Sequence, residues 1–495
     1  MMSHTKPLCV DCDGTLIATD LLHEAFFLLL KQYPIGLLFL PFWLIKGKAY
    51  LKERLAEHVI FNWATLPYRA EIIQLMDDAK LQGRQVVLAT ASPLAWANGI
   101  ASHLTKCHLT TSHLTTSQFA TSHLTYFDCV IATENGVNLS SEHKAARLVK
   151  LYGEKGFDYA GNSSADIAVW RRAAGAIVVS AKKSLTSPEN IHNIIRIIKP
   201  TGAKFLDYVR ALRVHQWLKN LLVIVPLLAA HQANMLQSVM QVMYAFLAFS
   251  MCASAVYVLN DLLDLESDRQ HINKRKRPFA ACKIPLWQGM LMAPVLLCMA
   301  LLISLALPPL FLLVLFVYFL TTLAYSIRLK KQVIVDVMLL AGLYTMRIIA
   351  GAAAAQIKPS FWLLAFSMFI FLSLALIKRY SELLITLQNN QQETAGRGYT
   401  VIDLPVLMAI GTSAGIGSVL ILALYLNNPE TYLMYPNTMW LWLMPPLLLY
   451  WISRMWMKAH RGEVDDDPVV FAARDWQSLL ILLMSAGIFT AAVKI

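Results

Sequence analysis

Apolar residues are arranged differently in the two parts of the chain. In the first 200 residues, short apolar runs alternate with stretches that have the hydrophobic spacing of helices. Because a loop or a helix follows each run, the pattern predicts a parallel sheet covered by helices, an α/β domain at residues 1–198. The predicted strands lie at residues 8–10, 86–90, 130–132, 159–160 and 177–180.

Residues 199–495 have the pattern of a membrane domain. Nine apolar segments each approach the ~20 residues that a spanning helix requires, which predicts an all-α bundle of nine transmembrane helices. Lys and Arg are concentrated in the connections after even-numbered spans, whereas the other side has only Lys358 and Lys494. By the positive-inside rule, the N-terminal domain is expected to be cytoplasmic. The segments lie at about 220–236, 238–259, 285–306, 308–325, 334–353, 360–377, 403–426, 438–457 and 476–494.

The composition agrees with a membrane protein. Of the 495 residues, 57% are hydrophobic and only 15% are charged, whereas soluble proteins have roughly 25% charged residues. These proportions exclude a purely soluble enzyme and a disordered chain. The net charge of +12 is compatible with a nucleic-acid partner or an anionic membrane, and the positions of the basic residues favour membrane lipids.

The cysteines and the N-terminus indicate the compartment. Seven scattered cysteines, an odd number, indicate no disulfide framework, so a reducing environment facing the cytosol is expected. The N-terminus lacks a long apolar run, and we therefore expect no signal peptide. Together with the two-domain organisation, these features favour a bacterial inner membrane.

Two segments of the N-terminal domain are unusual. Residues 24–46 are apolar but interrupted by Lys, Gln and Pro, which favours a pair of cap helices lying on the membrane surface. Residues 102–131 contain SHLT three times at a spacing of ten, which is too short for a solenoid and is typical of a duplicated surface loop. A metal site formed by His103, His113 and His123 is the less favoured alternative.

Polar residues follow several predicted strands of the N-terminal domain. Asp11 directly follows the first strand and can attack phosphorus, while Asp13 can act as acid and base for the leaving oxygen. Thr90 ends a strand and can hydrogen-bond a phosphoryl group, whose charge Lys144 can neutralise. Asp166, in the segment GNSSAD, can complete a Mg²⁺ site with the two aspartates. Each motif alone is also typical of a turn or a helix cap, but their order at strand ends indicates a phosphate site.

These residues resemble the motifs of the haloacid dehalogenase superfamily, specifically its phosphoserine-phosphatase-like branch, over about residues 6–180. The sequence DCDGT matches the family motif DxDGT, which implies that Asp11 is the nucleophile and Asp13 the general acid and base. The resemblance implies a Rossmann-like fold and a Mg²⁺-dependent phosphatase. The last motif of the family often begins with Gly-Asp, whereas Asn162 replaces that acid here, so a degenerate domain is the alternative.

A second acidic cluster lies where the second predicted span meets the cytoplasm. The spacing of Asp261, Asp264 and Asp268 places their carboxylates on one face of a helix. Like charges on one face repel unless cations hold them, and a pair of Mg²⁺ ions clamping a diphosphate would do so. A basic run at residues 274–277 follows and is suited to phosphate oxygens, although positive-inside topology also explains it, best of all for Lys276.

Further polar residues begin or end the predicted spans on the same side. We predict that they bind the substrate, chiefly its phosphate groups. For Asp336 and Arg347, which lie inside an apolar run, buried structural pairing is the alternative. The predicted substrate-binding residues are Lys219, Asn260, Lys274, Arg275, Arg277, Tyr325, Lys330, Asp336, Arg347, Lys378 and Arg379.

The membrane domain resembles the UbiA superfamily of intramembrane transferases over about residues 205–495. The motif NDxxDxxxD matches in full, which implies that Asp261 and Asp264 are catalytic and, with Asp268, are metal ligands. A second family motif, often DxxxD, matches only at Asp336 because position 340 is leucine, which disfavours aromatic prenyl transfer. The segments HQWLKN, YSIRLK, KRYSE and RGEVDDDPVVFA instead are similar to the polyprenyl-phosphate phosphoribosyltransferase branch. That branch implies phosphoribosyl pyrophosphate as donor and a polyprenyl phosphate as acceptor.

The fusion of the two domains favours the same interpretation. Transfer from phosphoribosyl pyrophosphate leaves a lipid-linked ribose that still carries its 5-phosphate, and a tethered phosphatase could remove it. An aromatic prenyltransferase has no such phosphate on its product. The alternatives are an aromatic prenyltransferase that uses a polyprenyl diphosphate, or a lipid-phosphate binding or transport protein with a degenerate phosphatase domain.

Overall fold

The structure, a computed structural model, divides the chain into two compact units. One comprises Met1–Ala211 with Val258–Met292, and the other Leu212–Tyr257 with Ala293–Ile495. The predicted boundary after residue 198 is close to the first division, but the segment that carries the second acidic cluster belongs to the first unit. The structure describes residues 5–111, 125–133, 139–186, 191–230, 235–393, 397–464 and 467–493. His113, His123 and most of the repeated SHLT segment lie outside these residues.

The first unit contains a six-stranded parallel sheet in the order β3-β2-β1-β4-β5-β6. All five predicted strands are present, and their apolar residues are buried on both faces of the sheet, as expected for a parallel sheet between helices. The sixth strand was not predicted, because Arg196 interrupts its apolar run and several of its side chains are exposed at the sheet edge. The strands are β1 Leu8–Val10, β2 Val86–Pro93, β3 Cys129–Thr133, β4 Asp158–Gly161, β5 Gly175–Val179 and β6 Ile194–Ile198.

Helices connect these strands. Asp20 is the N-cap residue of α1, and its Oδ1 accepts a hydrogen bond from Leu22 N at 2.8 Å. The helix α2 has no buried residue, and with the preceding 3₁₀ turn Pro34–Phe39 it exposes several large apolar side chains. Its location on a membrane surface stays a prediction. The helices are α1 Leu21–Gln32, α2 Leu40–Ile45, α3 Lys48–His58, α4 Ala70–Leu81, α5 Leu94–Thr111, α6 Ser141–Tyr152, α7 Ile167–Arg172, α8 Lys183–Thr186 and α9 Phe205–Ala211.

The remaining helices include several that are long and apolar. They are α10 Val225–Ala229, α11 Leu236–Leu263, α12 Leu265–Gln270, α13 Leu286–Ser304, α14 Pro309–Ile327, α15 Val335–Ala354, α16 Phe361–Gln388, α17 Leu404–Leu426, α18 Pro429–Met434, α19 Thr438–Leu441, α20 Met444–His460, α21 Pro468–Ala472 and α22 Trp476–Val493. Within the described ranges, seven helical segments have the length and composition to cross a membrane. They include α11, α13, α14, α15, α16 and α22, together with Val401–Leu426, which contains α17.

The predicted count of nine spans is therefore not confirmed. The first predicted span is a 3₁₀ helix, Val214–Ile224, followed by α10, and the eighth is divided between α19 and α20. Both are shorter than the other seven, because Val214–Ala229 is among the shorter apolar helices and α20 has 17 residues. A 3₁₀ helix rises ~2.0 Å per residue rather than ~1.5 Å, so a segment of this kind reaches further than its residue count suggests.

The second acidic cluster begins at the end of α11 and continues into α12. Asp264 lies at the junction of these helices and has a backbone conformation outside the helical range. Helical hydrogen bonds continue across it, because Asp264 N donates to Asn260 O at 2.9 Å and Asp268 N donates to Asp264 O at 2.8 Å. The predicted helical spacing of the three aspartates is thus nearly kept, with a local deviation at the middle one.

Candidate active sites

The first candidate site lies at the carboxyl end of β1. Asp11 directly follows this strand, and the chain turns at Gly14, whose φ of +74° favours glycine. A side chain at position 14 would also collide with Asn162, because a Cβ atom there would lie 2.0 Å from Asn162 Nδ2. The amide of Asn162 therefore lies against the loop that carries the two aspartates.

Lys144 links Asp11 to Tyr159 and, through Tyr159, to Asp166. It lies in α6, and its ammonium donates to Asp11 Oδ1 at 2.7 Å and to Tyr159 Oη at 2.9 Å. The Tyr159 hydroxyl in turn donates to Asp166 Oδ1 at 2.8 Å. All four side chains are buried, so the predicted residues Asp11, Lys144 and Asp166 are brought together in a desolvated polar network.

Burial controls the protonation of these groups. Desolvation raises the pKa of Asp11 to about 7, although the neighbouring Lys144 ammonium opposes this shift. Burial also raises the pKa of Asp13, and the charge of Asp20 adds to that effect. For Lys144, burial opposes the charged form, but the carboxylates of Asp11 and Asp166 prevail and raise its pKa. The site thus holds a protonated lysine beside a carboxyl group that titrates near neutral pH.

Asp13 is positioned by contacts that the sequence did not predict. Its Oδ2 accepts a hydrogen bond from Ser92 Oγ at 2.7 Å, and its Oδ1 accepts one from Leu21 N at 2.9 Å. Thr90, the predicted phosphoryl ligand, is fully buried, and its hydroxyl accepts a hydrogen bond from Ser92 N at 3.0 Å. Lys52 of α3 also lies near this site, because its ammonium donates to Ala91 O at 3.0 Å. The nearby SP dipeptide could have indicated Ser92, but nothing in the sequence indicated Lys52.

Replacement of Ser92 by alanine should weaken catalysis at this site. The variant loses the hydrogen bond to Asp13, and bonds of this charge-assisted kind contribute about 1.5–3 kcal/mol. We expect hydrolysis of a soluble aryl phosphate to slow by roughly 10- to 100-fold. Thr19→Val is the control, since the buried Thr19 hydroxyl has no hydrogen-bond partner within the described part of the chain. Equal rates for the two variants would contradict the assigned role of Ser92.

Asp166 is held by hydrogen bonds from its own loop. Its Oδ2 accepts hydrogen bonds from Asn162 N at 3.1 Å, Ser163 N at 3.0 Å and Ser163 Oγ at 3.0 Å. Its other oxygen faces Tyr159 and lies 3.9 Å from Lys144 Nζ. These bonds fix the loop and keep Asp166 close to Lys144, and binding of a metal ion by Asp166 stays a prediction.

The second candidate site, in the same unit, is the acidic cluster at α11 and α12. Arg277 bridges its first and last members, because one guanidinium nitrogen lies 3.1 Å from Asp261 Oδ1 and 2.7 Å from Asp268 Oδ2. Both carboxylates are 2% exposed. Burial raises the pKa of Asp268, whereas the charge of Arg277 opposes that rise. The guanidinium thus supplies the cation that two buried like charges require.

The other predicted members of this site are less buried. Lys274 and Arg275 lie on an exposed 3₁₀ turn, Lys274–Lys276, just before Arg277. Over the part of the chain that the structure describes, no group of three or more His, Cys, Asp or Glu side chains could hold a metal ion. Lys144 and Arg277 pair with the carboxylates of Asp11, Asp261 and Asp268, and metal binding by the two predicted triads stays a prediction.

Several predicted substrate-binding residues of the second unit form a buried network. Arg379 is 1% exposed and donates to both Asp336 and Glu382. A further nitrogen of Arg379 donates to Tyr325 Oη at 3.1 Å, and Tyr399 donates its hydroxyl to Asp336. Glu382 and Tyr399 were not predicted as site residues. These contacts favour buried structural pairing for Asp336, which the sequence analysis retained as the alternative.

Arg347 is likewise surrounded by protein groups. Its Nε donates to Asn220 Oδ1 at 3.0 Å, one terminal nitrogen to Leu343 O at 2.6 Å and the other to Tyr318 Oη at 3.2 Å. Its guanidinium carbon also lies 5.2 Å from the ring centre of Tyr344. This arrangement again favours structural pairing, and contact of Arg347 with substrate stays a prediction.

The predicted lysines of the second unit include one buried ion pair. Lys219 is 7% exposed, donates to Asp467 and lies 5.7 Å from the ring centre of Tyr344. Lys378 is half-buried, and its charge acts on Asp467 as well. Burial would raise the pKa of Asp467, but the charge of Lys219 prevails and lowers it. Two lysines around one carboxylate leave excess positive charge, which suits a phosphate group.

Replacement of Asp336 by leucine should destabilise the protein. The variant leaves the buried Arg379 without one of its two carboxylate partners, and breaking a buried ion pair costs about 3–5 kcal/mol. We expect a clear fall in the midpoint of thermal unfolding in detergent. Asp403→Asn serves as control, because asparagine can still accept the cap hydrogen bond from Thr400 N at 2.9 Å. An unchanged midpoint would contradict the structural role and favour substrate contact.

Comparison with known proteins shows the family of the C-terminal part of the chain. A sequence profile described as the UbiA prenyltransferase family matches residues 221–483. The uncharacterized protein y4nM of Sinorhizobium fredii is 36% identical over 491 residues, which cover 98% of this chain and 91% of that protein. The nodulation protein NoeC of Azorhizobium caulinodans is 35% identical over 285 residues, covering 56% of this chain and 91% of its own length.

Other relatives have a name that states an activity. Decaprenyl-phosphate phosphoribosyltransferase of Mycobacterium tuberculosis is 38% identical over 191 residues, which cover 38% of this chain and 63% of that protein. The long apolar helices support an integral membrane protein. Because the family profile matches more than half of its length, the chain belongs to the UbiA prenyltransferase family.

Proposed function

We propose that this protein transfers 5-phosphoribose from phosphoribosyl pyrophosphate to a polyprenyl phosphate, and that its N-terminal domain then removes the 5-phosphate. The observation that carries the transferase proposal is the bridge from Arg277 to Asp261 and Asp268, a buried acidic pair that already holds a cation. Similarity to a decaprenyl-phosphate phosphoribosyltransferase supports the choice of donor and acceptor.

The acidic cluster fits Mg²⁺ by its chemistry. Its ligands would be the carboxylate oxygens of Asp261, Asp264 and Asp268, which are the donors that Mg²⁺ prefers, and Arg277 marks a position where positive charge is stabilised. When bound, Mg²⁺ would neutralise the charge that develops on the leaving pyrophosphate. We assign Arg277 to the diphosphate once the metal holds the carboxylates.

The reaction requires few groups beyond these. The bond between ribose C1 and the diphosphate oxygen breaks, a bond from C1 to a lipid phosphate oxygen forms, and pyrophosphate leaves. The lipid phosphate is already an anion, so it needs no general base. We assign the remaining basic residues to phosphate groups of donor and acceptor. These residues are Lys219, Lys274, Arg275, Lys330 and Lys378, whereas Arg379 is held by its two carboxylate partners.

The proposed phosphatase uses the network around Asp11. A carboxylate oxygen of Asp11 attacks phosphorus while Asp13, whose pKa is raised by burial, protonates the leaving ribose oxygen. Water then cleaves the aspartyl-phosphate, with Asp13 as the base, and Lys144 neutralises the phosphoryl charge in both steps. Oxygen atoms of Asp11, Asp13 and the Asn162 amide fit Mg²⁺, which would keep Asp11 ionised when bound.

The order of the two activities follows from the chemistry. The transferase product would carry a monoester phosphate on a lipid, and a phosphatase on the same chain would meet it at high effective concentration. One relative matches 98% of this chain, so its sequence similarity extends over both the N-terminal and the membrane part. This supports a joint role for the two parts. Removal of the phosphate would also draw the transfer reaction towards product.

The test is a reconstitution with two donors. Purified protein in detergent receives Mg²⁺ and either phosphoribosyl pyrophosphate with decaprenyl phosphate, or a polyprenyl diphosphate with an aromatic acceptor. We expect a lipid-linked sugar only in the first mixture. A prenylated aromatic product in the second mixture alone would replace the proposal with aromatic prenyl transfer, and lipid binding without turnover in both would favour a binding protein.

A further inference from the structure

We propose that Glu24, in the N-terminal domain, is a positioning residue for the acidic cluster of the transferase, acting through Arg269. The inference rests on the proposed role of that cluster as a metal and diphosphate site. Glu24 and Arg269 both belong to the first compact unit, although 245 positions separate them in the chain.

The ion pair itself is bidentate and buried. Arg269 donates from its two terminal nitrogens to Glu24, at 2.6 Å to Oε1 and at 3.2 Å to Oε2. The Glu24 and Arg269 side chains are 3% and 8% exposed. Two parallel charge-assisted bonds fix both distance and orientation, which a single lysine contact would not do.

The helix that carries Arg269 is short and follows a local break in the backbone. The helix α12 has only six residues, and Asp264, which joins it to α11, departs from the helical conformation, so contacts with other elements help to fix the direction of α12. Asp268 and Arg269 are adjacent in sequence and point in different directions around the helix axis. Asp268 therefore faces Arg277, while Arg269 faces α1 and also donates to Ala280 O at 3.2 Å.

Further contacts join α1 and its neighbours to the same segment. Phe27 and Leu28 of α1 line a small cavity together with Leu262, Leu263 and Leu265. Asn62 N also donates to Glu266 Oε1 at 3.3 Å. The ion pair between Glu24 and Arg269 is a buried ionic contact of this interface, and Arg269 directly follows Asp268 in the chain. This pair is therefore well placed to fix the orientation of the Asp268 carboxylate.

The same helix begins at the phosphatase site. Leu21 is the first residue of α1, and its backbone N–H donates to Asp13 Oδ1 at 2.9 Å. One turn later, Glu24 holds Arg269. The helix α1 thus carries, within a single turn, one contact to the proposed phosphatase acid and one to the segment of the transferase metal site.

The test measures metal affinity rather than activity. The full chain in detergent is titrated with Mn²⁺ and followed by electron paramagnetic resonance, in an Asp11→Asn background that disables the phosphatase metal site. We expect Glu24→Gln to weaken the Asp261-dependent Mn²⁺ affinity by about 10- to 100-fold, the loss typical of groups that orient metal ligands. The number of sites per protein should stay unchanged, whereas a merely destabilised protein would lose sites and keep its affinity.

Two comparisons sharpen the result. Glu142→Gln is the matched control, because Glu142 forms an exposed ion pair with Arg172 at 3.0 Å in the same unit, and its Mn²⁺ affinity should equal that of the parent. Glu24→Gln and Arg269→Gln should be strongly non-additive when combined, since each removes the same pair. Unchanged affinity in Glu24→Gln would overturn the inference alone. A parent that binds no Mn²⁺ through Asp261 would overturn the proposed metal site and the inference together.

Discussion

Replacement of Asp261 by asparagine is expected to abolish phosphoribosyl transfer. The variant removes one of two buried carboxylates that Arg277 now bridges, and with it a ligand of the proposed metal–diphosphate complex. Metal stabilisation of the leaving group contributes several kcal/mol, so we expect the rate to fall on the order of 10³-fold or more. The measurement is incorporation of ribose label from phosphoribosyl pyrophosphate into the lipid fraction.

The matched control for this variant is Glu266→Gln. Glu266 lies in α12, the helix that carries Asp268, and a glutamine there can still accept the hydrogen bond from Asn62 N. We expect this variant to retain at least half of the parent activity. Equal activities of Asp261→Asn and Glu266→Gln would remove the acidic cluster from the mechanism.

Replacement of Asp11 by asparagine is expected to stop dephosphorylation while transfer continues. The amide cannot form an aspartyl-phosphate, and it also loses its ionic bond to Lys144 at 2.7 Å. Loss of a nucleophile of this kind costs on the order of 10⁴-fold or more. The lipid product should therefore retain its 5-phosphate and migrate as a more acidic species in chromatography.

Asp78→Asn provides the control in the same domain. Asp78 lies on the exposed side of α4, and its replacement should leave the lipid product dephosphorylated. If Asp11→Asn gave the same less acidic product as Asp78→Asn, the N-terminal domain would not act on the product of transfer. A degenerate phosphatase domain would then be the better interpretation.

Much of the first site follows from the sequence. Asp11 and Lys144 are 133 positions apart but pair directly, because parallel strands bring their carboxyl ends to one edge of the sheet. The strand pattern was sufficient to predict that these two residues lie close together. The same reasoning predicted that Asp166 would join the site, although its bonds to its own loop could not be anticipated from spacing.

The choice between Thr90 and Ser92 could not be made from the sequence. Both residues lie near the end of β2, and the pairing of β2 with β3 shifts register between Ala89 and Pro93. A shift of this kind changes which side chains point to the active face of the sheet. Ser92, rather than Thr90, consequently reaches Asp13.

The partners of the buried charged residues could not be predicted from the sequence either. Charged residues within the apolar run of α15 indicated pairing or substrate contact, but the identity of Tyr399 as a partner of Asp336 depends on helix packing. In the same way, nothing about Glu24 or Arg269 in the sequence distinguishes them from surface residues. Only the tertiary structure brings these two side chains together.

The most direct test of the central claim is a single reaction with doubly labelled phosphoribosyl pyrophosphate. The donor carries carbon label in its ribose and phosphorus label in its diphosphate, and it is incubated with the protein, Mg²⁺ and decaprenyl phosphate. We predict that the carbon label enters the lipid phase while the phosphorus label leaves as aqueous pyrophosphate, in wild type and not in Asp261→Asn. Carbon label that stays entirely in the aqueous phase, with the lipid acceptor fully dispersed, would contradict phosphoribosyl transfer.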